Sequence, residues 1–480
     1  MALTFAEGAD IIPSEWRMNL QYGSDSMRRD LTRGPVMRSM MMFAIPMICG
    51  NLLQQCYNIA DTLIVSRYLG PDALAAVGSA FTLMTFITSI MMGLCMGSGA
   101  LFSIYFGRRD EKALTECAWA SFVLIAAITV VLNIAAFLCL DVIQGFLHVP
   151  EGNVWSMMRA YLEVIFCGIA GTFLFNYFAC YLRAVGDSIT PLIFLGISAV
   201  LNIVLDFVFI AGLGRGAAGA AEATIISQYF SGLGLGAFAV MRHASLRWPG
   251  SGLRICLSRI REVAGFSVLT CIQQSVMNLG ILMVQGLVNS FGPAVMAAFA
   301  AGVKIDAFAY LALQDFGNAF STFIAQNYGA GKHERIRTGL CGAATAAVVF
   351  GACVSLLVWL FARRLMLLFV EPAETEIIAE GIRYLHIEGF FYSGIGCLFL
   401  LYGLCRGLGK PGMSVVLTVI SLGTRVALAY ILSSIPALGV TGIWWSVPIG
   451  WLLADIAGAV CYRKVCLKKR SPHAHDRSRA

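Results

Sequence analysis

The chain has 480 residues, of which 58% are hydrophobic and 13% charged, with a formal net charge of +7 and a mean hydropathy of +0.77. A soluble domain carries roughly a quarter charged residues, so a soluble core is excluded and the apolar surface needs lipid. The positive balance does not point to nucleic acid, because most Lys and Arg lie near the ends and in alternate loops between apolar runs.

From the N-terminus, residues 1–34 are polar and of mixed charge, without the apolar core or cleavage site of a signal peptide, and are expected to form a cytoplasmic tail. A spanning helix needs about 20 apolar residues. Such runs occur near 36–67, 73–105, 113–140, 154–182, 189–211 and 219–241, then near 263–290, 294–327, 336–363, 376–404, 411–433 and 440–465. The alternation of a membrane barrel is missing. The expected fold is an all-α membrane protein with twelve transmembrane helices. A basic linker at 242–262 separates a first lobe, 35–241, from a second, 263–465, and 466–480 form a second tail. The basic loops, among them "GRRDEK" and "GAGKHERIR", place both termini in the cytoplasm of a multi-pass protein of the cytoplasmic membrane.

The two lobes repeat each other. "RYLGPDALAAVGSA" at 67–80 matches "NSFGPAVMAAFAAG" at 289–302, and "YFGRRDEKA" at 105–113 matches "NYGAGKHER" at 327–335. "LRAVGDSITP" at 182–191 matches "CRGLGKPGMS" at 405–414, and "GAAGAAEAT" at 216–224 matches "GVTGIWWSV" at 439–447. Four matches in order at a nearly constant offset are a duplication. Each copy has an even number of helices, so the two lobes are parallel repeats about an axis along the membrane normal. That architecture favours a rocking transporter over a channel or receptor. Gly70-Pro71 and Gly292-Pro293 fit tight turns at one end, while Arg183 with Gly186 and Arg406 with Gly409 fit helix C-termini at the other.

No enzyme or cofactor is expected. "GLGK" at 407–410 lacks the rest of a P-loop, and "GRGAAG" at 214–219 lies in a short loop between two spans rather than after a strand. No HExxH or GxSxG occurs. The fifteen cysteines show no metal spacing and are expected to pack as small hydrophobes, as are the methionines of Met40–Met42. A pump of this kind must draw on an ion gradient.

Polar groups inside the apolar runs are the candidate site. The first run carries Gln54, Asn58 and Asp61 on one stripe, with Tyr57 beside it; the fifth carries Asn202 and Asp206, and the sixth Thr224. At about 1.5 Å of rise per residue, Asp61, Asp206 and Thr224 each lie roughly 8–9 Å inside the same end of their helices. Two carboxylates, an amide and a hydroxyl at one depth offer hard oxygens for Na⁺, or a carboxylate pair that takes H⁺. The second lobe differs: Arg425 stands opposite Asn202 and Ala429 opposite Asp206, and its first helix offers Gln273, Gln274 and Asn278 but no acid. Arg425 either lines the cavity or snorkels. Glu222, Asp306, Asp315, Glu388 and Asp455 are further acids whose facing the sequence leaves open.

"IPMICGNLLQQCYNIADTLIVSRYLG", "GPDALAAVG", "LRAVGDSITP" and "LNIVLDFVFIAGLGRGAAGAAEAT" resemble the multidrug and toxic compound extrusion (MATE) family, and the resemblance runs from about Arg33 to Tyr462. It implies a V-shaped, two-lobe, monomeric antiporter that exports bulky, cationic, lipophilic compounds in exchange for H⁺ or Na⁺. In the prokaryotic branch the coupling residues are an acid on the first helix, an Asn and an Asp four apart on the fifth, and a Thr on the sixth. By motif these are Asp61, Asn202, Asp206 and Thr224, with Gln54 and Tyr57 at lining positions. Another branch uses acids on the seventh and tenth helices, where this chain has Gln273 and Gln274 and, in an open register, Glu388. Glu222 departs from the usual apolar residue. The alternative function is a flippase for a lipid-linked oligosaccharide precursor, which Arg425 keeps open.

Overall fold

The structure, a computed structural model, describes residues 29–147, 152–247 and 256–468. The expected tails, 1–34 and 466–480, and the middle of the 242–262 linker therefore fall largely outside the described residues. Among the described residues there is no strand. The first half comprises α1 (Val36–Leu69), α2 (Pro71–Arg108), α3 (Glu111–Leu138), the short α4 (Leu140–Leu147), α5 (Asn153–Cys167), α6 (Ile169–Ala184), α7 (Ile189–Asp206) and α8 (Gly216–Arg242). The second half comprises α9 (Leu257–Asn289), α10 (Pro293–Gly329), α11 (His333–Met366), α12 (Thr375–Phe390), α13 (Tyr392–Gly407), α14 (Pro411–Ser433) and α15 (Val440–Lys468).

Ten helices are long and apolar enough to cross a membrane singly, and the pairs α5–α6 and α12–α13 make twelve spans. Those two pairs correct the expected continuous runs at 154–182 and 376–404. The helices meet at bends of 44° and 49°, and hydropathy does not register a bend because the chain stays apolar through it. The duplication is visible in the backbone. Gly70 and Gly292 have φ of 83° and 97°, and Gly186 and Gly409 have φ of 95° and 77°, left-handed turns that a side chain would strain. One local difference breaks the symmetry. After Asp206 the chain continues as a π-helix, Phe207–Gly212, whereas α14 stays α-helical past the position matching Asp206 and ends at Ser433.

The lobes meet over the halves that carry the basic loops. There α2 lies along α9 with almost no side chain between them. A Cβ on Gly97 would lie 2.6 Å from Ser267 Cα, and one on Gly93 2.6 Å from Cys271 Cα. Ser98 and Ser267 share a hydrogen bond of 2.8 Å. The segment before α1 bridges the seam: the Arg29 amide donates to Gly186 O at 3.0 Å, and the Leu31 amide to Gln326 Oε1 at 3.2 Å. Lys332 Nζ donates to Thr32 O at 2.8 Å, and Arg335 donates to the carbonyls of Leu31, Arg33 and Gly34. Burial raises the Asp30 carboxyl, but the Thr32 hydroxyl and amide and the charges of Arg33 and Lys332 outweigh it and hold Asp30 below its ordinary 3.8.

Helix α1 belongs to both cores. Its start, with Met40, Phe43 and Met47, packs into the apolar cluster of the second half around Phe299, Phe323 and Trp444. Its end, with Ile64 and Val65, packs into the first-half cluster around Met158 and Phe166. Met40 is fully buried there, while Met41 and Met42 stay exposed.

Candidate functional site

The four coupling candidates converge in the first lobe. Asp206, on the last turn of α7 where the π segment begins, is 0% exposed, and Asn202 one turn earlier is 2% exposed. Single π turns inside spans recur at functional sites because they re-aim a side chain and loosen the backbone ladder. Asn202 Nδ2 donates to Thr224 Oγ1 at 3.4 Å, joining α7 to α8. Asp61 comes across from α1, and its carboxyl lies within hydrogen-bonding reach of that of Asp206.

The oxygens of this group lack donors. Asp61 Oδ1, both oxygens of Asp206 and Asn202 Oδ1 are buried without a hydrogen-bond partner among the described residues. Buried acceptors are normally satisfied, and two carboxyl groups in contact repel unless a proton or cation lies between them. Tyr57 stands beside both carboxyls and is hydrogen-bonded to Gln54. A second phenol, Tyr161 of α5, 7% exposed, faces Asp61, Asp206 and Tyr57. The sequence did not single out Tyr161, because it stands in an apolar run with no polar stripe of its own.

The remaining candidates are dispersed. Asn58 Nδ2 donates to Gln55 Oε1 at 3.3 Å on its own helix. Gln273 and Gln274 are 2% and 8% exposed in α9, close to the seam with α2, and Asn278 is half-buried on the same helix. Glu222 pairs with Arg215 at the end of α8, away from the carboxyl pair. Asp315 of α10 accepts from Asn51 Nδ2 of α1 at 2.5 Å. Arg425 does not snorkel. It lines a partly open cavity of about 40 Å³ with Met277, Tyr310, Tyr402 and Trp451, and its Nε has no acceptor among the described residues.

A second carboxyl pair, unassigned by the sequence, occupies the other lobe. Tyr384 OH bridges Asp306 Oδ2 at 2.5 Å and Glu388 Oε2 at 2.8 Å, and Tyr392 OH donates to Asp306 Oδ1. Tyr384 and Glu388 come from α12, and Tyr392 from the first residue of α13 across the bend. The spacing of Tyr384, Glu388 and Tyr392, four residues each, is the signal that would have revealed a shared face. Unlike the first-lobe pair, these acids have phenol donors. Asp455 is half-buried in α15, with one oxygen unpartnered among the described residues.

The family model MatE matches residues 46–208 and 267–431, one segment in each half. The chain belongs to the MATE family. It is similar to the probable multidrug resistance protein YpnP of Bacillus subtilis, 29% identical over 90% of this chain and 96% of that one. The probable multidrug resistance protein NorM of Thermotoga maritima is 26% identical over 88% and 90%. Among solved structures, a MATE protein in complex with MaD3S superposes with a TM-score of 0.84 at 25% identity, covering 92% of this chain and 98% of that one. A MOP superfamily transporter from Pyrococcus furiosus shares the fold with a TM-score of 0.85 at 24% identity, over 90% and 96%. MATE proteins are multidrug efflux transporters of the cell membrane rather than enzymes, and they need no cofactor. The expected all-helical, two-lobe architecture of twelve spans is the MATE fold.

Proposed function

We propose that this MATE protein is a proton-coupled exporter whose coupling site is Asp61, Asn202, Asp206 and Thr224. The observation that carries the reading is the contact between the Asp61 and Asp206 carboxyls amid acceptors without donors. A proton fits between two touching carboxyls. A Na⁺ ion would need several further oxygen ligands around it, whereas a proton is satisfied by the two carboxyls alone. Loading the pair removes a negative charge from a buried site and changes how α1 seats against α7. The cargo is a bulky, lipophilic cation, which is excluded from the coupling site while the ion is there. The multidrug names of the relatives support that cargo class. The lobes comprise 35–241 and 263–465, the chain works as a monomer, and the basic end with both termini faces the cytoplasm, as the loop charges favour.

The test is dye export from proteoliposomes under a pH gradient and, separately, a Na⁺ gradient. Export should follow the pH gradient and be lost in Asp206→Asn at unchanged protein level. Wild-type-like export by Asp206→Asn refutes the site, and export driven by Na⁺ alone refutes the choice of proton.

A further inference from the structure

A second polar group joins the lobes, at mid-length of α1. Asn51 Nδ2 donates to Asp315 Oδ2 at 2.5 Å, a bond from the first lobe to α10 of the second. Asp315 is 4% exposed. It is also hydrogen-bonded by Asn318 one turn on, and Arg183 of α6 lends it a positive charge from the first lobe. Asn318 Oδ1 in turn accepts from Arg406 Nη2 at 2.8 Å, and Arg406 is itself 4% exposed.

Arg183 and Arg406 are the repeat-related pair at 182–191 and 405–414. In the folded protein the charges of both reach the Cys180 thiol, and each keeps a buried Nε without an acceptor among the described residues. Asp315 thus has one guanidinium of each lobe in its surroundings, Arg183 acting on it by charge and Arg406 bonded to its neighbour Asn318. Its repeat counterpart, at the offset of 222 that relates 105–113 to 327–335, is Gly93, which carries no charge. Asp315 is therefore the group through which α10 holds Asn51 of α1 directly and, by way of Asn318, Arg406 of α13.

Helix α1 links this group to the coupling site. Asp61 lies ten residues after Asn51, roughly 15 Å along the axis and, at 3.6 residues per turn, about 80° round it. Asp61 therefore turns into the first lobe towards Asp206 while Asn51 grips the second. The helix is anchored in both cores, its start in the second half and its end in the first. It is a lever with a polar contact on each side. A hydrogen bond fails once the heavy atoms part beyond about 3.5 Å, so a displacement of about an ångström at Asn51 breaks the link.

We propose that Asp315 is a positioning residue for transport: held by Asn51, it keeps the basic end closed, and movement of α1 when the Asp61–Asp206 pair is loaded releases it. The proposal rests on the first-lobe coupling site for its trigger, and on the Asn51–Asp315 and Asn318–Arg406 hydrogen bonds for the latch.

The experiment uses the full-length protein in lipid nanodiscs, with spin labels at Lys112 and Arg337, exposed residues flanking the basic end in the two lobes, on a background freed of reactive cysteines. Distance distributions are recorded with the coupling ion scarce and abundant. Asn51→Ala and Asp315→Asn should each raise the open-to-closed ratio about tenfold under scarce ion, within the usual range of coupling between sites. The exchange Asn51→Asp with Asp315→Asn restores a donor–acceptor pair with its polarity reversed, and should return the ratio towards wild type and recover dye export. A purely structural role would lower thermal stability in all three without that recovery. An unmoved ratio in the single variants, or no recovery in the exchange, overturns the proposal. Asp61→Asn separates the two readings. It should abolish the response of the basic end to the ion; if the response survives while the Asn51 and Asp315 effects stand, the first-lobe site falls and the latch alone remains.

Discussion

Replacing Gly97 with alanine tests whether the seam between α2 and α9 exists only when the basic end is closed. The added methyl would lie 2.6 Å from Ser267 Cα and would also strike the Phe266 carbonyl. Carbon atoms rest about 3.5–4.0 Å apart, so the helices must separate by roughly 1 Å. Overpacking of this size costs about 1–3 kcal/mol, and the separation strains the Ser98–Ser267 hydrogen bond of 2.8 Å, worth about 1 kcal/mol. At about 1.4 kcal/mol per tenfold, the closed state should lose roughly one to two orders of magnitude in population relative to the open one. The assay is the inter-lobe distance distribution with the coupling ion scarce, beside a thermal melt. A shift to longer distances with a nearly unchanged melting temperature is expected. A lower melting temperature with an unchanged distribution would mean that α2 and α9 stay packed in both states, and the inference of a separable seam would be wrong.

Other substitutions probe separate features. Tyr161→Phe removes the phenol beside the carboxyl pair and should move the pH of half-maximal export while leaving maximal export within about twofold; an unchanged pH profile removes Tyr161 from the site. Arg335→Ala deletes donors to three carbonyls of the 29–34 segment and should expose that segment to proteolysis at least tenfold faster, consistent with loss of about 1–2 kcal/mol. Because Asp30 is held below 3.8, its contribution is intact near neutrality and lost only as pH falls through the lowered value, so proteolysis of the segment should be flat between pH 7 and 5. Trp444→Phe keeps the 5.4 Å stack on Phe299 but loses the 2.8 Å bond to Glu380. It should lower stability by about 1–3 kcal/mol, and a melt indistinguishable from wild type would show that the indole N–H contributes nothing.

The coupling candidates were legible because their cue is one-dimensional. Glycine turns mark where the helices end, and counting inward from them puts Asp61, Asp206 and Thr224 at one depth before any contact is known. The helix period further places Asn202 on the face of Asp206. What the chain does not encode along its length is which helices touch. Tyr161 joins the site through α5, and Asp306 meets Tyr384 and Glu388 through the packing of α10 on α12. Neither neighbour is implied by an offset in sequence. Glu222 shows the converse: it sits two residues from Thr224, yet the helix turns it to Arg215. Arg183 and Arg406 were readable as repeated helix ends, but their placement near Asp315 and its neighbour Asn318 depends on how the two copies face each other, which a repeat offset does not specify.

The bridge made by residues 29–34 also constrains the order in which the protein is built. Thr32 and its partner Lys332 are 300 residues apart in the chain. At a synthesis rate of about 5–20 residues per second, roughly 15–60 s separate the emergence of one from that of the other. Throughout that interval the segment has its first-lobe contact at Gly186 but lacks its second-lobe partners Gln326, Lys332 and Arg335, while the first six spans can already enter the membrane. The basic end therefore cannot be sealed as the first lobe folds. It is sealed only after α10 and the start of α11 arrive, so docking of the chain's beginning becomes a late step of assembly and a marker that both copies of the repeat are in place.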